Sequence, residues 1–241
     1  MITAGGRING AFAELAGTQV KALARVRDIT MLQRMIDALR AAGVNRLAVV
    51  GGEEVRAACG ARVERFVDES LSGSENLARA LSAWPEDDMP LIYATSDLPY
   101  VDPDGVCDFL SKVVPGTLAV PLADFRRFAA RFPGAPPFGI TLARERVVNG
   151  GLFSIPPASS EKLAAIARRF FDARKRPWQM ASFVGPVTLF RFLCGRLSIA
   201  GLETIATQVL GAPGSAVRNC APELAFDVDE FVEYRYACAQ P

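Results

Sequence analysis

The chain has 241 residues, half of them apolar and 22% charged, with 27 Lys plus Arg against 26 Asp plus Glu. That length suits one large α/β domain or two small ones with a substantial core, and the near-neutral balance argues against nucleic acid or an anionic membrane as main partner, since both select a basic surface. The absence of histidine removes Ser-His-Asp triads, Cys-His pairs and histidine-ligated metals, leaving carboxylates, lysines, arginines, hydroxyls and backbone, with any metal a hard cation held by oxygen.

The chain opens with "ITAGGRINGAFAELAGTQVKAL" (2–23), in which glycines follow a very short apolar run. A helix is predicted over 30–42, with Thr30 and Gln33 as capping box, Leu32, Met35, Ile36 and Leu39 as apolar stripe and Gly43 as terminator. "RLAVVGG" (46–52) reads as a strand buried on both faces, and 62–68 as another short strand. Ser74 is the expected cap of a helix carrying Leu77, Ala80, Leu81 and Trp84. "PLIYATSD" (90–97) is a further buried strand. Asp102-Pro103 starts a helix with Val106, Phe109, Leu110 and Val113 on its apolar face, and 117–123 returns as a strand.

This alternation implies right-handed crossovers and a three-layer, Rossmann-like, mostly parallel but mixed sheet with helices on both faces. The stretch 124–158 carries loop signals and two predicted strands, 138–142 and 147–155, which form a hairpin or subsheet beside the main sheet. Helices are expected near 160–173, 179–194 and 201–210, then a strand near 223–228 and a last helix. With no repeat or linker, 1–241 reads as a single domain. The five scattered cysteines lack a C-x-x-C pair and suit reduced thiols. With no apolar run near membrane-spanning length and no basic n-region, the expected location is the cytoplasm.

Three stretches carry candidate chemistry. Gly5, Gly6 and Gly10 are spaced G-G-x-x-x-G, which matches neither the dinucleotide fingerprint nor the Walker loop. Bare glycine backbone fits either a phosphate cradle or a plain turn. Lys21 follows as a cation able to neutralise a polyphosphate, though a single lysine is ordinarily a surface residue. In "YATSDLPYVD", Asp97 stands where the apolar run ends, at the carboxyl edge of the sheet where ligands gather, while Asp102 reads as a helix cap. In "ELAFDVDEFVEY", Asp227 and Asp229 precede a helix, and one of the two is expected to reach the site. The basic run Arg168, Arg169, Arg174, Lys175 and Arg176 reads as a solvated helix end before it reads as an acceptor contact.

Together these stretches resemble the MobA-like nucleotidyltransferases of the GT-A-type nucleotidyltransferase superfamily, over essentially the whole chain. The opening A-G-G-x-x-x-G and spaced K-A-L match the family's start, "TSDLPYVDPDGV" its central D-x-P metal motif, and "FDVDEFVEY" its closing segment. "RFPGAPPFGITLARERVVNGGLFSIPP" is similar to its acceptor-side section, placing the acceptor elaboration at roughly 124–200 and the nucleotide in the N-terminal half. The resemblance implies that Ala4, Gly5 and Gly6 wrap the nucleotide, that Arg7 and Lys21 meet its phosphates, and that Ser74 to Asn76 approach the nucleoside. It also implies that Asp97 and Asp229, or Asp227 in its place, hold one Mg²⁺, and that Asn149, Gly150 and Gly151 face the acceptor.

The implied reaction is Mg²⁺-dependent transfer of a nucleoside monophosphate from a nucleoside triphosphate to a phosphorylated small-molecule acceptor, releasing pyrophosphate, with Lys21, Asp97 and Arg7 as catalytic residues. The first motif lacks the family's G-x-G, which argues against the molybdenum-cofactor guanylyltransferases proper. The first strand is shorter than the family's, which predicts residues upstream of Met1. A nucleotide-binding regulator that has lost catalysis is the alternative reading. A glycosyltransferase would carry its D-x-D mid-chain, and a dinucleotide-binding oxidoreductase would carry an acidic residue where Lys21 and Arg25 stand.

Overall fold

The computed structural model describes residues 1–84, 88–143, 145–160, 162–166, 185, 188, 190 and 194–240. Strand β1 (Ile2–Thr3) leads through the glycine turn into helix α1 (Gly10–Ala16), which Gly17 ends in the left-handed conformation. The sequence reading had no helix there: Gly10 opens α1 and takes no part in the loop. A small antiparallel pair, β2 (Arg25–Val26) and β3 (Ile29–Thr30), then feeds α2 (Met31–Ala41). Thr30 Oγ1 accepts from the Gln33 amide at 3.0 Å, the predicted cap, and the whole Leu32, Met35, Ile36 and Leu39 stripe is buried.

Next come β4 (Ala48–Gly51), α3 (Glu53–Cys59), β5 (Arg65–Asp68), α4 (Gly73–Leu81) and β6 (Leu91–Thr95). Ser72, not Ser74, caps α4: its hydroxyl accepts from the Glu75 amide, while Ser74 lies inside the first turn and bonds Ser72 Oγ at 2.8 Å. Both serines are cap-competent, so the choice between them is not decided by residue type. Helix α5 (Pro103–Lys112) starts as predicted, with Asp102 Oδ1 accepting from the Gly105 amide at 2.7 Å. Then follow β7 (Leu118–Asp124), α6 (Phe125–Arg131), β8 (Ile140–Thr141), β9 (Arg146–Asn149), β10 (Leu152–Ile155), α7 (Ile199–Leu210), β11 (Gly214–Arg218) and α8 (Phe231–Ala239).

The expected strand 147–155 is interrupted at Gly150-Gly151, but both halves pair antiparallel with β7, while β9 also pairs β8 and β10 also pairs β6. No strand forms at 223–228. Pro222–Leu224 is a turn of 3₁₀ helix, and β11, unread in the sequence, supplies the last sheet pairing. The helices expected near 160–173 and 179–194, with the basic run, fall largely outside the described residues.

Among the described residues the main sheet runs β5-β4-β1-β6-β10-β7-β9-β8, with β11 also on β7. The first four strands are parallel, and β10 lies antiparallel between β6 and β7. The predicted hairpin is β8–β9, at the sheet's far edge. Strand alternation sends side chains to two faces. Ile2, Val49 and Ala94 pack under α2 and α5, while Met1, Ala48 and Val50 pack with Ala80 and Ala83 at α4. The sheet is thereby the middle of three layers. A second, aromatic core joins Tyr100, Phe128, Phe132, Phe138, Phe226 and Tyr236, with ring centroids about 5 Å apart (Tyr100–Phe132 4.8 Å, Phe132–Phe226 4.9 Å). All five cysteines are free thiols. No described helix is long and apolar enough to cross a membrane.

Candidate active site

The parallel strands β1, β4, β5 and β6 end on one edge, where the sequence turns from apolar to glycine and acid. After β1, Ala4 is buried and its amide donates to the Val50 carbonyl at 2.8 Å, so it fixes the loop and presents nothing outward. Gly5, Gly6 and Arg7 then run along the edge. The Lys21 segment lies antiparallel over them: the Lys21 amide donates to Gly6 O at 2.9 Å, and Arg7 bridges Val20.

Lys21 reaches across this edge to two acids at once. Its Nζ donates to Asp97 Oδ2 at 2.6 Å and to Asp229 Oδ1 at 2.8 Å. Burial works against this ammonium, yet the charges of Asp97 and Asp229 outweigh it and hold its pKa above the ordinary lysine value. Asp97 stands just past β6, and its carbonyl accepts from the Val228 amide at 3.0 Å, which stitches the closing segment to the end of the central strand. Both acids of the closing pair come near Lys21 and Asp97, contrary to the expectation that only one would, although Asp229 stays largely exposed and neither lines the cavity that Lys21 and Asp97 border. Asp229 bonds Lys21, and Asp227 lies close enough to feel the charges of both Asp229 and Asp97. Residues two apart on an extended segment share a face, which is the reason. Desolvation first, then those two charges, pushes the Asp227 carboxyl up to about 7.

Lys21 and Asp97 border a cavity of about 620 Å³ that also takes in Gly5, Gly6, Arg7 and Asn76. A larger cavity, about 810 Å³, opens between Met1, Trp84, Met89 and Pro157. That one lies at the start of β1 and β6, away from the carboxyl ends where ligands of parallel sheets bind, so the smaller cavity is the candidate site.

Part of the lining lies beyond the residues that the sequence motifs mark: Thr3, Glu69, Ser70, Leu71 and Tyr93. Glu69 follows directly on the end of β5, so the same strand-end rule that marked Asp97 would have found it. Its carboxylate lies over Gly5, where a Cβ would come within 2.1 Å of Oε2, and its Oε1 accepts from Arg7 Nη2 at 2.6 Å. Arg7 also bonds Glu54 at 3.1 Å, so the loop arginine is already paired.

Other predicted residues are engaged differently from expectation. Asn76 uses both ends of its amide on Ser70: Oδ1 accepts from the Ser70 amide at 2.6 Å and Nδ2 donates to the Ser70 carbonyl at 3.0 Å. It therefore shapes the 69–72 loop and has both ends of its amide committed there before any nucleoside arrives. Asn149, Gly150 and Gly151 lie outside the cavity lining. Their glycines answer to the chain itself, since a Cβ would meet Leu224 O at 2.5 Å from Gly150 and Thr95 Oγ1 at 2.4 Å from Gly151. The amides of Gly150 and Gly151 are committed to the Pro121 and Leu224 carbonyls at 2.9 Å each.

A metal fits one corner of this arrangement. Asp97 Oδ1 is buried with no hydrogen-bond partner, and the Lys21 ammonium already sits as a cation between Asp97 and Asp229. Among the described residues no three metal-ligating side chains converge. Two carboxylates with substrate phosphates and water completing the shell is the ordinary arrangement for Mg²⁺.

The family model for the MobA-like NTP transferase domain matches residues 2–225. The chain belongs to that family. It is a nucleotidyltransferase by that membership, and its sheet and helices match those of solved nucleotidyltransferases. A hypothetical transferase from Thermus thermophilus is 30% identical, with 97% of each chain covered and a TM-score of 0.83. The 2-C-methyl-D-erythritol 4-phosphate cytidylyltransferase of the same organism is 18% identical, covers 91% of this chain and 92% of its own, and has a TM-score of 0.55. The Rv0371C protein of Mycobacterium tuberculosis, solved as a complex with manganese, is also 18% identical, covering 99% and 96% with a TM-score of 0.55. No curated protein matches the chain. In this MobA-like domain Lys21 and Asp97 line the cavity, and Asp229 joins them through its ion pair with Lys21 from outside the lining.

Proposed function

We propose that this protein transfers a nucleoside monophosphate from a nucleoside triphosphate to a phosphorylated small-molecule acceptor, releasing pyrophosphate with the help of Mg²⁺. The observation that carries the reading is the Lys21 ammonium clamped by Asp97 and Asp229 beside the glycine backbone of residues 5 and 6. An acceptor phosphate oxygen attacks the α-phosphorus in line. A new oxygen–phosphorus bond forms as the bond to the β-phosphate oxygen breaks, and the electron pair leaves with pyrophosphate. An acceptor phosphate is already anionic at neutral pH, so the step needs positioning and charge neutralisation more than a general base. That suits a chain without histidine.

Gly5 and Gly6 let the phosphates approach the main chain, while Arg7 and Lys21 neutralise them. Asp97 and Asp229, with Asp227 behind them, would hold the divalent cation. When bound there, it would act as a Lewis acid on the phosphoryl oxygens and neutralise their developing charge. The manganese complex of the Mycobacterium protein supports divalent-metal use. The acceptor would lie toward 149–151, on the far side of β6 from β4 and β5. The whole chain acts as one domain in the cytoplasm.

The test is pyrophosphate release with each of the four triphosphates against a panel of sugar and polyol phosphates. Mg²⁺-dependent release with at least one pair is the expected result. Nucleotide binding without release in every combination would instead make the protein a regulator that keeps the fold and not the reaction.

A further inference from the structure

Both cations of the cavity are held by the chain's own acids. Lys21 lies between Asp97 and Asp229, and Arg7 between Glu54 and Glu69. Among the described residues these two cations face four carboxylates, a negative balance that repels a bare triphosphate. The Lys21 and Asp97 side chains are 16% and 13% exposed, so that pair acts at reduced dielectric, whereas Asp229 reaches Lys21 from a largely exposed position and the Arg7 side chain is 47% exposed. A lysine that neutralises phosphates cannot at the same time sit between the two acids that would hold the metal.

Resting on the reading given above, we propose that Lys21 is an exchangeable stand-in for the divalent cation. Its ammonium fills the position between Asp97 and Asp229 in the empty enzyme, and binding of the cation releases it toward the triphosphate over Gly6. The geometry supports both ends of the exchange. Asp97 keeps Oδ1 buried without a partner, so the acid pair has acceptor capacity that a single ammonium leaves unused. The Lys21 stem passes over the glycine loop, with Cε 3.3 Å from where a Cβ on Gly6 would stand, so rotation of the terminal bonds carries Nζ from the acids to the loop. A lysine's flexible four-carbon stem permits this, and a rigid arginine fork would not. Metal and triphosphate would then bind with positive coupling. Each relieves a cost the other would face alone: the metal frees the phosphate's cation, and the phosphate keeps that cation from returning.

The experiment measures Mn²⁺ affinity by electron paramagnetic resonance, without nucleotide, for the wild-type chain and for Lys21→Met. The variant is expected to bind Mn²⁺ about tenfold tighter, within the range of coupling between linked sites. Equal or weaker binding overturns the exchange while leaving the metal site in place. Mn²⁺ binding to neither protein overturns the metal site of the proposed function, and the exchange with it. Should Lys21→Met fail to fold, amine acylation of the wild-type chain, followed by peptide mass, decides the matter. Lys21 is expected to label faster with saturating Mg²⁺ and to be protected again when inorganic tripolyphosphate is added. A labelling rate indifferent to Mg²⁺ overturns the proposal.

Discussion

The two cation–carboxylate clusters of the cavity differ more than their composition suggests. At Lys21, three elements remote in sequence converge in a half-buried pocket: the loop before β2, the end of β6 and the segment before α8. At Arg7, a half-exposed guanidinium spans Glu54 in the first turn of α3 and Glu69 beyond β5. Similar ion pairs are worth far less when solvated and screened, so the Lys21–Asp97 pair should weigh more in stability than the Arg7 pairs, and on the proposed function more in turnover.

The largest effect expected on that contrast is at Asp97. Asp97→Asn should lower turnover by about 10²–10³-fold, the scale for removing one electrostatic partner of a transition state, with an unchanged circular dichroism spectrum. Near-normal pyrophosphate release would remove Asp97 from the mechanism. Next comes pH dependence. With its carboxyl raised to about 7, Asp227 holds a proton in the folded protein that the unfolded chain has lost above about 4. The folded state then binds more protons across that window, so metal-free stability should fall as pH rises from about 4 to about 7. Asp227→Asn should flatten that part of the melting-temperature profile, and an unaltered slope would assign it to other groups.

Arg7→Gln is expected to weaken nucleotide binding by about tenfold in a titration while changing stability by less than about 1 kcal/mol, as befits an exposed pair. If Arg7→Gln costs as much turnover as Asp97→Asn, the contrast between the two clusters fails. The smallest effect is at Glu54, where Glu54→Gln should shift the unfolding free energy by no more than about 0.5 kcal/mol in urea titration.

The same contrast separates what the sequence made legible from what it hid. Helices α2 and α5 are local decisions, each with a cap residue, an apolar stripe and a stop, and both form where the residues place them. Asp97 was legible because a strand end is a local boundary. Other features depend on which neighbour a segment meets. Residues 147–155 alternate well enough for one strand and do run along β7, but Gly150 and Gly151 must pass against Leu224 and Thr95, and the regular pairing is interrupted there. The apolar stretch before Asp227 reads as a strand, yet Ala225 and Phe226 serve the aromatic core, and the Leu224 carbonyl accepts from the Gly151 amide. Asn76 has the right residue type for a ligand contact, and only the Ser70 loop reveals that its amide is already occupied.

Phe226 is fully buried among Phe128, Phe132, Phe138 and Tyr236, one residue before Asp227. The foundation on which the closing acids stand is thus a cluster of rings drawn from α6, the loop beyond it and α8. A substitution deep in that cluster, with no contact to any ligand, would tilt the acids relative to Lys21. Variation in these aromatic residues among related proteins should therefore register as altered cation affinity before it registers as altered fold.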